Sequence, residues 1–426
     1  MRLELGNIPI RDIQFGVKSK IEGDVLYVNT EELQALLAED QALESVELEL
    51  AKPGDSTRIM PVKDVIEPRV KVKGDGGVFP GTVSKVGVVG SGRTNVLKGA
   101  AVVTTGKVVG FQEGLIDMSG IGAEYTPFSK LNNLVLVCQP AAGVSRYEHE
   151  KALRFAGLKA AAYLGELARH IESQDVEAYQ TYGLREGIEA FPHLPRVGYV
   201  LMLQSQGLMH DTYVYGVDMK QSLPTILSPT EIMDGAIVSG NCVSACDKNT
   251  TYHHLNNPVI ADLFKEHGKT LNFTCVIITN ENVYLADKER SSDWTAKLAR
   301  QLDLDGVIIS QEGFGNPDTD LMMNCKKIEA SGIDTVIITD EYAGRDGASQ
   351  SLADGDQKAD AVISCGNANE LIHLGPMEQV IGYAPAAGVI SGGFDGSLKS
   401  DGSMTVELQA ITGATNELGF NKLSAR

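Results

Sequence analysis

Residues 274–279 read TCVIIT, residues 306–310 read GVIIS and residues 335–339 read TVIIT. Each is a short, nearly unbroken apolar run. Between them stand SSDWTAKLARQL (291–302) and PDTDLMMNCKKIEASG (317–332), both with helical patterning. Strands that are apolar on both sides are buried on both faces, and strands alternating with amphipathic helices build a parallel sheet with helices packed over it. A further run, AVISC (361–365), follows a Gly-rich loop. The expected fold class is therefore α/β, with a Rossmann-like, mainly parallel sheet covered by helices in this half of the chain.

Toward its N-terminus the chain reads as β-rich. Segments such as VLYVNT (25–30), SVELELAKP (45–53), IEPRVKVKG (66–74) and AAVVTTGKVVGFQEG (100–114) are short, rich in Val and punctuated by Gly, Pro and Asp. The clearest helix is residues 145–172, where Leu153, Ala156, Leu164 and Leu167 recur at helical spacing. A strand, RVGYVLMLQSQG (196–207), follows the turn FPHLP. The expected domains are 1–145 (β-rich), 146–241 (a helix-containing α/β segment) and 242–426 (the Rossmann-like sheet, wholly within this last part).

Composition narrows the function classes. With 37 basic and 56 acidic residues the chain carries a net charge of −19, and no Lys/Arg cluster offers a phosphate backbone a foothold. No nucleic-acid partner is expected. No apolar run approaches the roughly 20 residues that span a bilayer, so no membrane partner is expected either and the cytoplasm is the expected location. Six cysteines, four of them single within apolar stretches, suit a reducing compartment. The Gly-rich pieces GSGRTN (90–95) and GDGG (74–77) lack the dinucleotide and P-loop patterns, and the neighbours His210 and Asp211 point to opposite faces if they lie on a strand.

Two places carry candidate chemistry. Sheets of this kind bind ligands at the carboxyl ends of their strands. Those ends carry Asn280 and Glu281, Gln311 and Glu312, Asp340 and Glu341, then Asn367 and Asn369. Glu281, Glu312 and Asp340 suit a small zwitterion's ammonium, while Arg345 or Lys248 suits its carboxylate. The second place is SGNCVSACDKN (239–249), which sets Cys242 and Cys246 among small polar residues. With His253 and His254 it loosely resembles a zinc site, but the adjacent histidines do not match the usual spacing, and no metal is expected. A redox pair lacks the C-x-x-C spacing, and two inert thiols fit poorly with such polar surroundings. The fourth reading is backbone chemistry. A Cys242 thiol attacking the Asn241 carbonyl forms a thioester. Elimination then leaves dehydroalanine, which tautomerises and hydrolyses to a pyruvoyl group. Gly240 permits unusual backbone geometry, and Asp247, Lys248 and His254 are candidates for proton transfer or charge stabilisation.

The residues also carry a resemblance. MRLELGNI (1–8), VGSGRTNVLKGAAVVTTGKVVGFQEGLIDMSG (89–120), GLMHDTYVYGVD (207–218) and MDGAIVSGNCVSACDKNTTY (233–252) are similar to blocks of the glycine/sarcosine/betaine reductase component B proproteins. So are VIITNENVYLADKERSSDWTAKL (276–298), GVIISQEGFGNPD (306–318), TDEYAGRDG (339–347) and ITGATNELGFNK (411–422). The resemblance implies self-cleavage at Asn241–Cys242 into pieces of 241 and 185 residues, with Cys242 becoming the pyruvoyl group and no dissociable cofactor. It implies that the carbonyl condenses with the amine of glycine, giving an iminium, for reductive C–N cleavage. The implied partners are a selenoprotein subunit of component B, the selenoprotein component A and, indirectly, the acetyl-phosphate-forming component C. A sarcosine or betaine reductase subunit, or a non-catalytic scaffold or zinc-binding subunit with an intact Asn-Cys bond, are the alternatives.

Overall fold

The computed structural model describes residues 1–109, 113–206, 212–240 and 249–414, with 424–425 as backbone only. The elements that position the site begin with strands β1 (Arg2–Pro9), β2 (Leu43–Ala51), β3 (Thr57–Val62), β4 (Asp64–Ile66), β5 (Arg69–Lys73), β6 (Gly92–Lys98), β7 (Ala100–Gly106) and β8 (Asn132–Pro140). Helix α1 (Arg146–Glu166), strands β9 (Asp175–Gln180), β10 (Arg196–Gln204) and β11 (Thr225–Leu227), and helices α2 (Thr251–Leu255) and α3 (Pro258–Glu266) follow. The rest alternate: β12 (Asn272–Glu281), α4 (Leu285–Gln301), β13 (Gly306–Ser310), α5 (Asn316–Glu329), β14 (Asp334–Glu341), β15 (Val362–Asn367), β16 (Gln379–Gly382) and β17 (Ser424–Ala425).

The N-terminal region is β-rich, as its composition predicts. It forms one sheet in the order β9-β1-β6-β5 and a second in the order β2-β8-β7-β4. Helix α1 starts where Ser145 and Glu148 cap one another: Glu148 N donates to Ser145 Oγ at 3.3 Å, and Ser145 N donates to Glu148 Oε2 at 2.9 Å. Leu153, Ala156 and Leu164 then bury against Val102, Leu134 and Leu136 of the second sheet.

The large sheet has the order β11-β12-β10-β13-β14-β15-β17. Its inner strands β12, β10, β13, β14 and β15 are mutually parallel, while the edges β11 and β17 are antiparallel. It is a mixed sheet, and its coverage is mixed too. Val200 and Met202 of β10 pack with residues of α4 and α5, such as Ala296 and Leu321. On the opposite face, Tyr199, Leu201 and Leu203 pack with Ile260 and Leu263 of α3, but also with Leu3, Leu5 and Val96 of the N-terminal sheet. This alternation explains the unbroken apolar run in β10: both of its faces are covered.

The large sheet is not confined to residues 242–426, which corrects the expectation above. Strand β10 lies at its centre, bonded in parallel to β12 on one side and β13 on the other, and β11 forms an edge. The expected boundary at 145 also runs through a sheet, since β9 pairs with β1. In the reverse direction, β16 pairs in parallel with β3. The buried Arg58 of β3 donates to both oxygens of Asp117, at 2.6 and 2.8 Å, and to the Gly375 carbonyl at 3.0 Å. The chain before residues 241–248 and the chain after them are thus interleaved. Among the described residues no helix is long and apolar enough to cross a membrane.

This interleaving sets an expectation for truncation. Residues 1–240 produced alone leave β10 without either neighbour, uncover the face that packs on α4 and α5 and strip α3 from the other, so they should give no cooperative thermal transition. Production together with 241–426 should restore it. A soluble, cooperatively melting 1–240 piece, seen by circular dichroism, would contradict the interleaved architecture.

Candidate functional site

Strand order reverses around β10, because the chain crosses from β10 to β12 on one side and continues to β13 on the other. At such a reversal the connections leave in opposite directions and open a crevice beyond the carboxyl ends of the two strands. Here those ends are Gln204–Ser205 and Gln311–Glu312. The Glu312 carboxylate fills the space between them and is fully buried. Its Oε2 accepts the Gln204 backbone N–H at 2.6 Å and the Thr212 hydroxyl at 2.5 Å. His254 Nε2, from α2, lies 2.8 Å from Glu312 Oε1. The two are close enough to pair by charge when the ring is protonated, although their angle falls short of a hydrogen bond. The other ring nitrogen of His254, Nδ1, is buried and has no hydrogen-bond partner among the described residues.

Glu281 at the end of β12 completes the cluster. Its carboxyl accepts the backbone N–H groups of Glu312 at 2.7 Å and of Gly313 at 3.2 Å. Burial, reinforced by the neighbouring Glu312 charge, holds Glu281 well above the usual carboxylate range, against the pull of those two N–H donors. Glu281, Glu312 and His254 therefore form one buried polar group drawn from three elements. Ser205 joins it by donating to the Glu281 carbonyl at 2.7 Å.

A second buried carboxylate sits at the other end of α2. Asp64 of β4 accepts the backbone N–H of Thr251 and of Val65 through Oδ1, each at 2.8 Å. Its Oδ2 accepts the Thr251 hydroxyl at 2.7 Å. Thr251 Oγ1 in turn accepts the backbone N–H of Ser239 at 3.0 Å. Burial pushes Asp64 up to about 7, while the Thr251 and Val65 donors and the charge of His254 work in the opposite direction. The adjacent His253 serves the helix itself, since its Nδ1 accepts the Thr250 N–H at 2.9 Å and caps the start of α2.

The structure thus joins three of the residues singled out in the sequence: His254, Glu281 and Glu312. Asp340 is buried at the end of β14, one strand further along the rim. Arg345 is engaged elsewhere, with Nε 2.7 Å from Glu407 Oε1 and its guanidinium 4.3 Å above the Phe394 ring. Asn241, Cys242, Cys246, Asp247 and Lys248 lie outside the described residues, as do His210 and Asp211. Among the described residues, no group of three or more His, Cys, Asp or Glu side chains is arranged to hold a metal. Asp64, Thr251 and Thr212 were not legible as site residues. The available signal was VKDVIE (62–67), where charged residues interrupt an apolar strand and must find partners if buried.

The Glu312 contacts make a stability prediction. Glu312→Ala strands the Gln204 N–H, the Thr212 hydroxyl and the His254 ring in a dry interior, so it should cost about 3 kcal/mol or more. Glu312→Gln keeps an acceptor for the first two and should cost clearly less. A Glu312→Ala midpoint equal to that of the unmodified chain would show that these contacts carry no stability.

Over residues 1–426 the chain matches the sequence family of glycine/sarcosine/betaine reductase component B subunits. It is 65% identical to "Glycine reductase complex component B subunits alpha and beta" of Peptoclostridium acidaminophilum, covering 100% of both chains. To the protein of the same description from Acetoanaerobium sticklandii it is 64% identical, again over 100% of both. "Sarcosine reductase complex component B subunit alpha" of Peptoclostridium acidaminophilum is 57% identical over 100% of both chains. No solved structure matches the chain. With a family match along its whole length and relatives this similar, the chain belongs to the glycine/sarcosine/betaine reductase component B family.

Proposed function

We propose that this chain is the carbonyl-bearing subunit of a selenium-dependent glycine reductase, an oxidoreductase, matured by self-cleavage between Asn241 and Cys242. The observation that carries the reading is its end-to-end similarity to single chains whose description covers two subunits, alpha and beta. Identity favours glycine over sarcosine, at 65% and 64% against 57%. In the proposed maturation the Asn241–Cys242 peptide bond breaks and the Cys242 sulfur leaves on the Asn241 carbonyl. Water converts that thiocarboxylate to a carboxylate and sulfide. The Cys242 nitrogen departs as ammonia, and a second water supplies the ketone oxygen. The resulting pyruvoyl carbonyl supplies an electrophile for the substrate amine.

The chain's own residues support this reading. His254 stands six residues after Lys248, and its buried Nδ1 has no described partner, which suits a proton donor or acceptor for a group on the neighbouring stretch. Glu312 Oε1 lies 2.8 Å from the ring's other nitrogen, and Glu281 adds a carboxyl that burial favours in its neutral form. Together with Asp340 these carboxyl groups are the proposed partners of the substrate ammonium. Arg345 is already paired with Glu407, so Lys248 is the stronger proposed partner of the substrate carboxylate. Cys246 and Asp247 remain proposed members of the processing site. The selenolate that displaces nitrogen is proposed to come from a selenoprotein subunit of component B and from the selenoprotein component A. Component C is proposed to form acetyl phosphate afterwards, in the cytoplasm.

Cys242→Ala should leave one full-length chain without a carbonyl and abolish glycine turnover in the reconstituted complex. The unmodified chain should turn over glycine in preference to sarcosine and betaine. Two normal pieces from the Cys242→Ala chain would refute the cleavage point. A preference for sarcosine or betaine would reassign the substrate.

A further inference from the structure

Asp64 belongs to no motif of the sequence and lies far along the chain from residues 241–248, yet its carboxyl binds Thr251 on one side of that stretch and, through the Thr251 hydroxyl, is linked to Ser239 on the other. It holds the Thr251 backbone N–H at 2.8 Å and the Thr251 hydroxyl at 2.7 Å. The same hydroxyl accepts the Ser239 N–H at 3.0 Å. Ser239 stands two residues before Asn241, and Thr251 three residues after Lys248. One hydroxyl therefore ties the chain entering the stretch to the chain leaving it. The hydroxyl donates its hydrogen to Asp64 and accepts the Ser239 N–H on a lone pair, so both of its roles are used. All three residues are buried, Asp64 at 1% and Thr251 at 0% exposure, so water does not compete for these bonds.

We propose that Asp64 is a positioning residue for self-processing at Asn241–Cys242: through Thr251 it holds the two chain segments that flank the stretch, at Ser239 and Thr251, against one another. That role rests on the self-processing proposed above. Its physical basis is orientation. A bond attacked from within its own backbone gains rate when the flanking chain is fixed before the attack, and loses it when the flanks move independently. Asp64 makes no claim on the reacting atoms. It acts through Thr251.

The protonation state of Asp64 gives this role a signature. As a carboxylate, Asp64 accepts the Thr251 hydroxyl. When protonated, it becomes a donor itself, and the Thr251 hydrogen loses its acceptor. Burial raises Asp64 to about 7, so the tie should strengthen as pH rises through neutrality. The groups facing it are Thr251 and His254 from α2 and Thr104, its cross-strand neighbour on β7. Lys63 is the residue before it in the chain.

The test follows cleavage of freshly translated full-length chain on denaturing gels, from about pH 6 to about pH 8. The unmodified chain should be cut faster as pH rises. Asp64→Asn, which matches the shape but does not titrate, should slow cleavage by about ten-fold or more and flatten the pH profile. Thr251→Val should slow it similarly, and Thr251→Ser, which restores the hydroxyl, should recover most of the rate. If Asp64→Asn does not fold, the two Thr251 variants carry the comparison. Cleavage of folded Asp64→Asn and Thr251→Val at the unmodified rate and pH profile would overturn the proposal while leaving the processing reading intact. An unmodified chain that is never cut would overturn both.

Discussion

Strand Arg196–Gln204 is hydrogen-bonded along both of its edges, and the rest of the architecture is organised around that double pairing. This strand reaches the sheet from the N-terminal side of residues 241–248, while its two neighbours, Asn272–Glu281 and Gly306–Ser310, come from the other side. A central parallel strand cannot be withdrawn without exposing two rows of backbone donors and acceptors, together with apolar side chains on both faces. The C-terminal region returns the tie through Gln379–Gly382 beside Thr57–Val62 and through the Gly375 carbonyl on Arg58. A chain cut within 241–248 would therefore remain one folded body. The same insertion generates the crevice, because the sheet reverses its order at this strand.

Charge is buried where these parts of the chain meet. Arg69 holds Glu67 at the end of the second sheet and reaches the Leu255 carbonyl at 3.4 Å and Asn256 Oδ1 at 3.3 Å. Lys98 joins it, 3.1 Å from Glu67 Oε1. These basic groups hold Glu67 below the usual carboxylate range despite its burial. Asp234 takes the Lys71 ammonium, the Gly90 N–H and the Thr94 hydroxyl. Buried pairs of this kind contribute little net stability, but they penalise misalignment strongly, since one missing partner leaves an unpaired charge. They fix α2 and its surroundings against the N-terminal strands. That alignment brings Asp64 to Thr251 and His254 to Glu312.

Much of this fold was legible in the sequence, and the misses have physical causes. The runs TCVIIT, GVIIS and TVIIT announced strands buried on both faces, and the helical spacing of Leu153, Ala156, Leu164 and Leu167 announced a helix, because periodicity and burial are local properties. That RVGYVLMLQSQG would sit in the middle of that same sheet was not legible. Strand order is set by packing between distant segments, and the apolar run of β10 specifies burial without naming its neighbours. Glu281, Glu312 and His254, singled out from strand ends or from the stretch that follows the Asn-Cys bond, come together in one buried cluster. Asp64 was passed over because a single carboxylate in a strand has no spacing to betray its partner, which lies 187 residues away in the chain. Arg345 illustrates the converse: a cation in a suitable loop whose charge is already taken by Glu407.

The proposed state, a single folded body cut once inside the chain with a carbonyl at the new end, has one decisive readout. It is mass spectrometry of the purified protein under native and then denaturing conditions, with a hydrazine reagent added. One species should appear natively and two on denaturation, matching residues 1–241 and 242–426, with only the smaller one labelled. A single unlabelled full-length mass after denaturation would contradict the cut. Two pieces that already separate under native conditions would contradict the interleaved fold.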